Sequence, residues 1–199
     1  FLSSGGTVYG NPQFLPVTEI HPLNQIGSYG IVKVAIEHYL RHYSDMCNID
    51  YAIARVSNPY GPRQRVDGLQ GVIATFLHKT IHGEPIEIWG DGKSIRDYIY
   101  IDDLTDCLQR LICHKDVTGV YNVGSGEGHN IIKIVDTIRR VTGLNPDISF
   151  RKTLAGTVGS TFLDISRIRD ALGWTPQTSL EVGIEKFYDW LKISKSLSD

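Results

Sequence analysis

The 199-residue sequence predicts an α/β fold. Three observations carry that expectation. Short apolar runs such as Tyr51-Ala52-Ile53-Ala54-Arg55-Val56 and Gly119 to Val123 read as strands. Longer runs with apolar residues at helical spacing stand between them, as at Tyr29 to Arg41 and Gly71 to His82. The two kinds alternate with no repeat, low-complexity tract or linker to break the run.

The chain opens on a strand end, Phe1-Leu2, that runs into a small, hydroxyl-rich turn, Ser3-Ser4-Gly5-Gly6-Thr7. Pro12, Pro16 and Pro22 make residues 11–27 a loop. Val32, Ala35, Ile36, Tyr39 and Leu40 then set a helix from Tyr29 to about Asp45–Asn48, with strand 51–56 after it. An irregular, charged segment follows from Gly61 to Leu69. Val72, Ile73, Phe76, Leu77 and Ile81 give a helix that stops at Gly83. Pro85 to Trp89 alternates as a strand and turns at Gly90-Asp91-Gly92. Tyr98 to Ile101 is a second short strand, and Asp102 is expected to cap a helix reaching about His114. Strand 119–123, helix 130–142 closed by Gly143, and strand 147–150 come next. A short helix at Ser166–Leu172 and an amphipathic one at Leu180–Lys192 end the chain.

The length suits one large or two small domains. A net charge of −2 gives no reason to expect nucleic acid or an anionic membrane as partner. There is no long apolar run and no signal-peptide pattern. Cys47, Cys107 and Cys113 are odd in number and lack metal or redox spacing, so they read as reduced, mostly buried thiols of a cytoplasmic protein. His38/His42 and His78/His82 have a spacing that could bind zinc, but neither pair has a third ligand near it in sequence. They read as solvated helix faces, and no metal is expected.

Tyr29 and Lys33 are four residues apart and leave the same helix face. An ammonium beside a phenol favours the phenolate, so the pair can serve as a general base. A second such spacing, Tyr188 and Lys192, shows how readily it arises by chance in a chain with ten tyrosines. The neighbourhood of Tyr29 is what distinguishes the first pair. Gly124-Ser125-Gly126-Glu127-Gly128-His129 mimics a dinucleotide fingerprint but lacks its last glycine, and it reads as a tight strand-to-helix turn.

Strand, hydroxyl turn, Tyr/Lys helix, strand and Asn58-Pro59-Tyr60-Gly61, in that order, resemble the extended short-chain dehydrogenase/reductase family. Within it the NAD-dependent nucleotide-sugar epimerases and dehydratases, of the UDP-glucose 4-epimerase kind, are the most similar. Trp89-Gly90-Asp91-Gly92, Arg96-Asp97-Tyr98-Ile99, Tyr121-Asn122-Val123-Gly124 and Leu172-Gly173-Trp174 have counterparts there, so the resemblance covers nearly the whole chain. It implies the C-terminal portion of a Rossmann-type doubly wound parallel sheet plus the small α/β substrate-binding domain. Residues 1–60 would be the remainder of the Rossmann domain with the Tyr-x-x-x-Lys helix. Residues 61–199 would be mainly the substrate domain, with segments near 98–123 returning to the Rossmann sheet. Phe1 opens mid-strand, which leads to the expectation of a missing N-terminal part carrying the glycine fingerprint for NAD, and of a fragment inactive alone.

The resemblance also implies roles. Tyr29 and Lys33 would be catalytic, moving a proton at the sugar while hydride leaves C4 for NAD and returns to the other face. The family places a Ser or Thr in the turn as a third group. Gly5 stands at that position here, so Ser4 or Thr7 is expected to supply the hydroxyl. Cofactor contacts would come from Tyr29, Lys33, Ser3 and Asn58, and substrate contacts from Asn58, Val72, Ile88, Trp89, Arg96 and Thr161. Arg55 is a further candidate for gripping the diphosphate. Related epimerases carry an Arg and then Gly-Asp before the Asp-x-Ser helix, whereas here Thr157 holds the Asp position and Arg151 lies three residues early. A turn without a carboxylate favours epimerisation over dehydration. The expected substrate is a UDP-hexose or, because Thr161 is small, a UDP-N-acetylhexosamine. The rival readings are a reductase or dehydratase of the same fold and a non-catalytic sugar-nucleotide-binding module. The intact enzyme is expected to be a homodimer through helix 29–45.

Overall fold

The computed structural model describes residues 1–65, 71–152 and 159–196. Its first half runs β1 (Leu2–Ser4), α1 (Gly27–Cys47), β2 (Ala52–Val56), β3 (Asn58–Tyr60), α2 (Val72–His82), β4 (Ile86–Trp89), β5 (Ile95–Arg96) and β6 (Tyr98–Tyr100). The second half runs α3 (Ile101–Cys113), β7 (Gly119–Val123), β8 (His129–Asn130), α4 (Ile131–Thr142), β9 (Ile148–Arg151), α5 (Ser166–Leu172) and α6 (Leu180–Ser196).

β1, β2 and β7 form a parallel sheet in that order, with Ser3 opposite Arg55 and Arg55 opposite Asn122. Side-chain alternation along β2 sorts the two faces. Ala54 and Val56 join Leu104, Cys107 and Leu111 of α3, Ile168 of α5 and Trp174 in one apolar cluster. Arg55 points the other way and meets Glu37 of α1. Helices therefore cover both faces, as in a doubly wound sheet of Rossmann type.

A second core gathers α2, α4 and α6 around the parallel pair β4–β9. Leu77, Ile86, Ile134, Ile138 and Phe187 are among its fully buried side chains, and each contributes roughly 1.5–3 kcal/mol by leaving water. α4 shows how local chemistry sets an element's ends. The Asn130 side chain accepts a hydrogen bond from the Lys133 amide at 2.8 Å, a cap that stabilises by about 1 kcal/mol. At the other end Gly143 takes φ 70 and returns its amide to Arg139. Two short ladders join the layers: β3 with β6 in parallel and β5 with β8 antiparallel.

Two points differ from expectation. α3 begins at Ile101 with Tyr100 at its cap position, and no side chain caps it. β6 runs directly into the helix, so Asp102 falls inside the first turn, where a carboxylate favours the positive end of the helix dipole. β3, β5 and β8 are strands that no local pattern announced. The segment 66–70, part of the charged stretch, and the segment 153–158, which holds Thr157, lie outside the described residues.

Candidate active site

Tyr29 and Lys33 stand on the first two turns of α1, whose opening turn presses on the hydroxyl turn after β1. A Cβ added to Gly30 would lie 2.9 Å from the Thr7 carbonyl oxygen, so only glycine permits this approach. Lys33 Nζ donates to the Leu2 carbonyl at 2.9 Å and sits 5.4 Å from the centre of the Tyr29 ring. The Tyr29 side chain is exposed to solvent at 58%, so its phenol is open to a ligand. Thr7 Oγ1 is buried and has no hydrogen-bond partner, whereas Ser4 is half-buried in the same turn. Thr7 Oγ1 therefore has free hydrogen-bonding capacity beneath the surface of the turn. Gly5 has no room for the family's hydroxyl, since a Cβ there would stand 2.6 Å from Leu163 Cδ1 and 3.0 Å from the Arg55 carbonyl.

A cavity of about 330 Å³ opens beyond the turn, lined in part by Asn58, Val72, Trp89, Arg96 and Tyr98. Asn58 joins the two regions. It lines the cavity, its Oδ1 faces Gly6 of the hydroxyl turn, and its Nδ2 is fixed by the Asp97 carbonyl at 2.7 Å. Arg96 Nη1 donates to Ser94 Oγ at 2.7 Å and to the carbonyls of Ile95 and Gly159. Burial pulls its pKa below the ordinary arginine value, with the nearby Tyr98 opposing. Even so, a guanidinium stays charged at neutral pH. Such a wall, one cation with amide and aromatic groups, suits a phosphorylated ligand with a flat base.

Asp97 explains the glycine-rich turn. Its buried carboxylate accepts from Ser125 N and Oγ, both at 2.8 Å, from Gly126 N at 3.3 Å and from Leu163 N at 3.2 Å. A Cβ on Gly124 would meet that carboxylate at 2.5 Å. The amides that would cradle a pyrophosphate in a true fingerprint are occupied by the protein's own anion, so this turn does not fit a dinucleotide. The exposed phenol and ammonium of Tyr29 and Lys33 do fit the hydroxyls of a ribose.

The sequence model of the NAD dependent epimerase/dehydratase family matches residues 1–124. The chain belongs to this family. It is 41% identical over 189 residues to a dTDP-4-dehydro-6-deoxyglucose reductase of Escherichia coli, covering 94% of this chain and 58% of the relative. It is 34% identical over 190 residues to a UDP-glucose 4-epimerase of Mycolicibacterium smegmatis, covering 96% of this chain and 61% of the relative. The crystal structure of a Thermotoga maritima UDP-glucose 4-epimerase with UDP-glucose superposes with a TM-score of 0.92 at 31% identity, covering 98% of this chain and 63% of that one. The chain therefore spans about 60% of the length of these family members.

Within the family frame, the structure sets Lys33 beside Tyr29, packs the main chain of Thr7 against Gly30 of the same helix turn, and places Asn58, Val72, Trp89 and Arg96 on one cavity. It departs from expectation at Arg55, Ser3 and Thr161. Arg55 is 1% exposed and its guanidinium is committed to Glu37 and Tyr9, so it cannot grip a diphosphate. Ser3 turns its hydroxyl onto Glu37 rather than outward, because alternation on β1 buries it under α1. Ile88 faces the second core at 1% exposure, since its strand neighbours Glu87 and Trp89 take the outer face, and its main chain remains for the backbone contact that the resemblance implies. Thr161 is buried with an unpartnered hydroxyl and lies outside the cavity lining. Arg151 stands in register with Trp89 and pairs with Glu87.

Tyr98 was missed by sequence reasoning. Its hydroxyl is buried in the cavity wall without a partner, and burial pushes its pKa up to about 12. The alternation of Arg96 with Tyr98 on one short run was the signal available. Lys192 Nζ lies 4.4 Å from the centre of the Tyr188 ring and is held by Asp189 at 2.7 Å, so ring contact alone does not set Tyr29 and Lys33 apart, and their place beside the Thr7 turn does. Among the described residues no group of three His, Cys, Asp or Glu side chains could hold a metal, and no helix is long and apolar enough to cross a membrane.

Proposed function

We propose that this chain binds a UDP-sugar and supplies the proton-transfer pair of an NAD-dependent 4-epimerase. The observation that carries this reading is the meeting of Tyr29 and Lys33 with the Thr7 turn, joined through Asn58 to the Arg96 cavity. Arg96 and Asn58 hold the diphosphate, Trp89 and Val72 wall the base and its approach, and the sugar extends toward the turn. Thr7 Oγ1 hydrogen-bonds the sugar's C4 hydroxyl, Tyr29 takes its proton, and the Lys33 charge favours the phenolate that must form. The same tyrosine returns the proton after the keto-sugar has turned over in the pocket. NAD, when bound, would supply the hydride acceptor and donor, and Tyr29, Lys33 and Asn58 are the residues of this chain that would hold it. Gly5-Gly6-Thr7 offers no second acid, which favours return of the hydride over elimination.

The identity to a reductase supports a second reading, in which the same base and cavity serve one-way reduction of a keto-sugar. Product analysis separates the two. Plain and acetylated UDP-hexoses are both candidate sugars, and because Thr161 lies outside the cavity lining its small side chain does not decide between them. Turnover of UDP-N-acetylhexosamines measured beside UDP-hexoses decides it. The exposed stripe Val32, Tyr39, Tyr43 and Met46 of α1 supports a homodimer through that helix, testable by sedimentation. Cys47 and Cys113 are exposed free thiols, in keeping with a cytoplasmic location.

Tyr29→Phe in the full-length protein is the direct test. Turnover should fall by about 10²- to 10⁴-fold, the usual size of a general-base contribution, while nucleotide affinity by calorimetry stays unchanged. Turnover at the wild-type rate would refute the assignment.

A further inference from the structure

Beneath the Tyr29–Lys33 face lies a polar network that the proposed chemistry does not use. Glu37 stands one helical turn beyond Lys33, and both Glu37 and Arg55 are 1% exposed. Their planar groups meet in a fork, Nε to Oε1 at 3.1 Å and Nη2 to Oε2 at 2.6 Å. Arg55 Nη1 also donates to Tyr9 Oη at 3.0 Å, and Tyr9 Oη donates to Asn122 Oδ1 at 2.6 Å. Burial pushes the Tyr9 phenol up to about 12, so it remains a donor at neutral pH. Glu37 Oε1 accepts a second bond, from Ser3 Oγ at 2.5 Å.

α1 therefore grips β1 at two successive residues. Lys33 holds the Leu2 carbonyl, and Glu37 holds the Ser3 hydroxyl. Gly30, Val34 and Glu37 are the buried positions in the helix's span of 21 residues, with Val34 seated among Val8, Tyr9, Val17 and Leu163. A buried ion pair is weak as a source of net stability, because desolvating both charges offsets most of their attraction. A two-point fork, however, is specific in geometry. Its value here is a fixed register of helix on strand.

We propose that Glu37 is a positioning residue: clamped by Arg55 and Ser3, it sets the height of α1 on β1 and so places Tyr29 and Lys33 against the Thr7 turn. The inference rests on the assignment of Tyr29 and Lys33 as the reacting pair.

Ser3→Ala is the decisive variant, because it cuts the tie from β1 to Glu37 and leaves the Glu37–Arg55 pair whole. In the full-length protein kcat should fall by about tenfold or more, since a misplacement of about 1 Å can cost up to about a hundredfold. KM for the UDP-sugar and the affinity for NAD should stay within about twofold, as expected when only transition-state placement is lost. Ser3→Thr, which keeps the hydroxyl, should restore kcat. Glu37→Gln should lower kcat as well, and adding Ser3→Ala to it should cause no further loss, because both act through one contact.

Unchanged kcat in Ser3→Ala would overturn the proposal, as would a fall in Tm alone. Weakened NAD binding at unchanged kcat would also overturn it, marking Ser3 as a cofactor contact instead. If Glu37→Gln does not fold, Ser3→Ala and Ser3→Thr still decide. Tyr29→Phe run alongside isolates the premise. Retained turnover there removes the reacting pair itself, whereas an inactive Tyr29→Phe beside a fully active Ser3→Ala refutes the positioning role alone.

Discussion

Gly5→Ser would restore the hydroxyl that the family places in the turn, and it should damage the protein. Gly5 is not in a left-handed conformation, so the backbone accepts any residue, and the obstacle is space. The new Cβ would stand 2.6 Å from Leu163 Cδ1 and 3.0 Å from the Arg55 carbonyl. Leu163 is 2% exposed and packed among Val8, Tyr9, Val17 and Val34, so it has nowhere to swing. The carbonyl belongs to β2 and moves only with the sheet. Overpacking of this kind costs about 1–3 kcal/mol. For a chain of this size that is a fall in Tm of roughly 2–12 °C. Urea unfolding followed by circular dichroism measures it. Leu163→Ala in the same chain opens the space, so the double variant should be less destabilised than the sum of the singles by about 1 kcal/mol or more. A Gly5→Ser protein as stable as wild type, or strict additivity with Leu163→Ala, would show that the turn is not closed by Leu163.

Two further outcomes follow from buried groups. Tyr98→Phe removes an unpartnered hydroxyl from the cavity wall. The unliganded protein should be as stable as wild type or slightly more so, while UDP-sugar affinity by calorimetry drops by about 1 kcal/mol, near fivefold; unchanged affinity would place the ligand elsewhere. Burial raises Asp97 above the ordinary aspartate value of 3.8, so between the two values the folded chain holds a proton that the unfolded chain lacks. That contribution is fully present in acid below the ordinary value and is lost as pH rises through the raised one. The stability of wild type relative to Asp97→Asn should therefore be greatest in acid below 3.8 and shrink as the pH rises. An advantage that grows with pH would mean that the N–H donors around the carboxylate outweigh its burial.

The sequence made the long elements legible because their signals are local. α2, β7 and α5 lie within a residue of expectation, each marked by periodicity and a closing glycine or a compact apolar run. β3, β5 and β8 were hidden, because a two- or three-residue strand exists only through a partner that lies far along the chain. The same distance hid the fate of Arg55. Nothing near it in sequence says that Glu37, eighteen residues earlier, will take its charge. Val72, Trp89 and Arg96 were readable as one site only through the family motif, since their elements converge by way of the second core. Ile88 and Trp89 show the limit of that reading. A motif names a strand, and only the alternation of buried and exposed positions says which of its side chains the ligand can meet.

Asp97 carries one more consequence. Its carbonyl fixes Asn58, and its carboxylate fixes the 125–126 turn and Leu163, so segments separated by 28 to 66 residues converge on it. Each convergence must close a long loop before it returns any energy. Contacts of that kind form late in folding and break early in unfolding, so Asp97 substitutions should speed unfolding far more than they slow refolding in stopped-flow measurements. Unchanged unfolding rates in an Asp97 variant would show that these contacts do not hold the three segments together. By mass action, a ligand bound at the wall of Asn58 and Arg96 would slow the same opening.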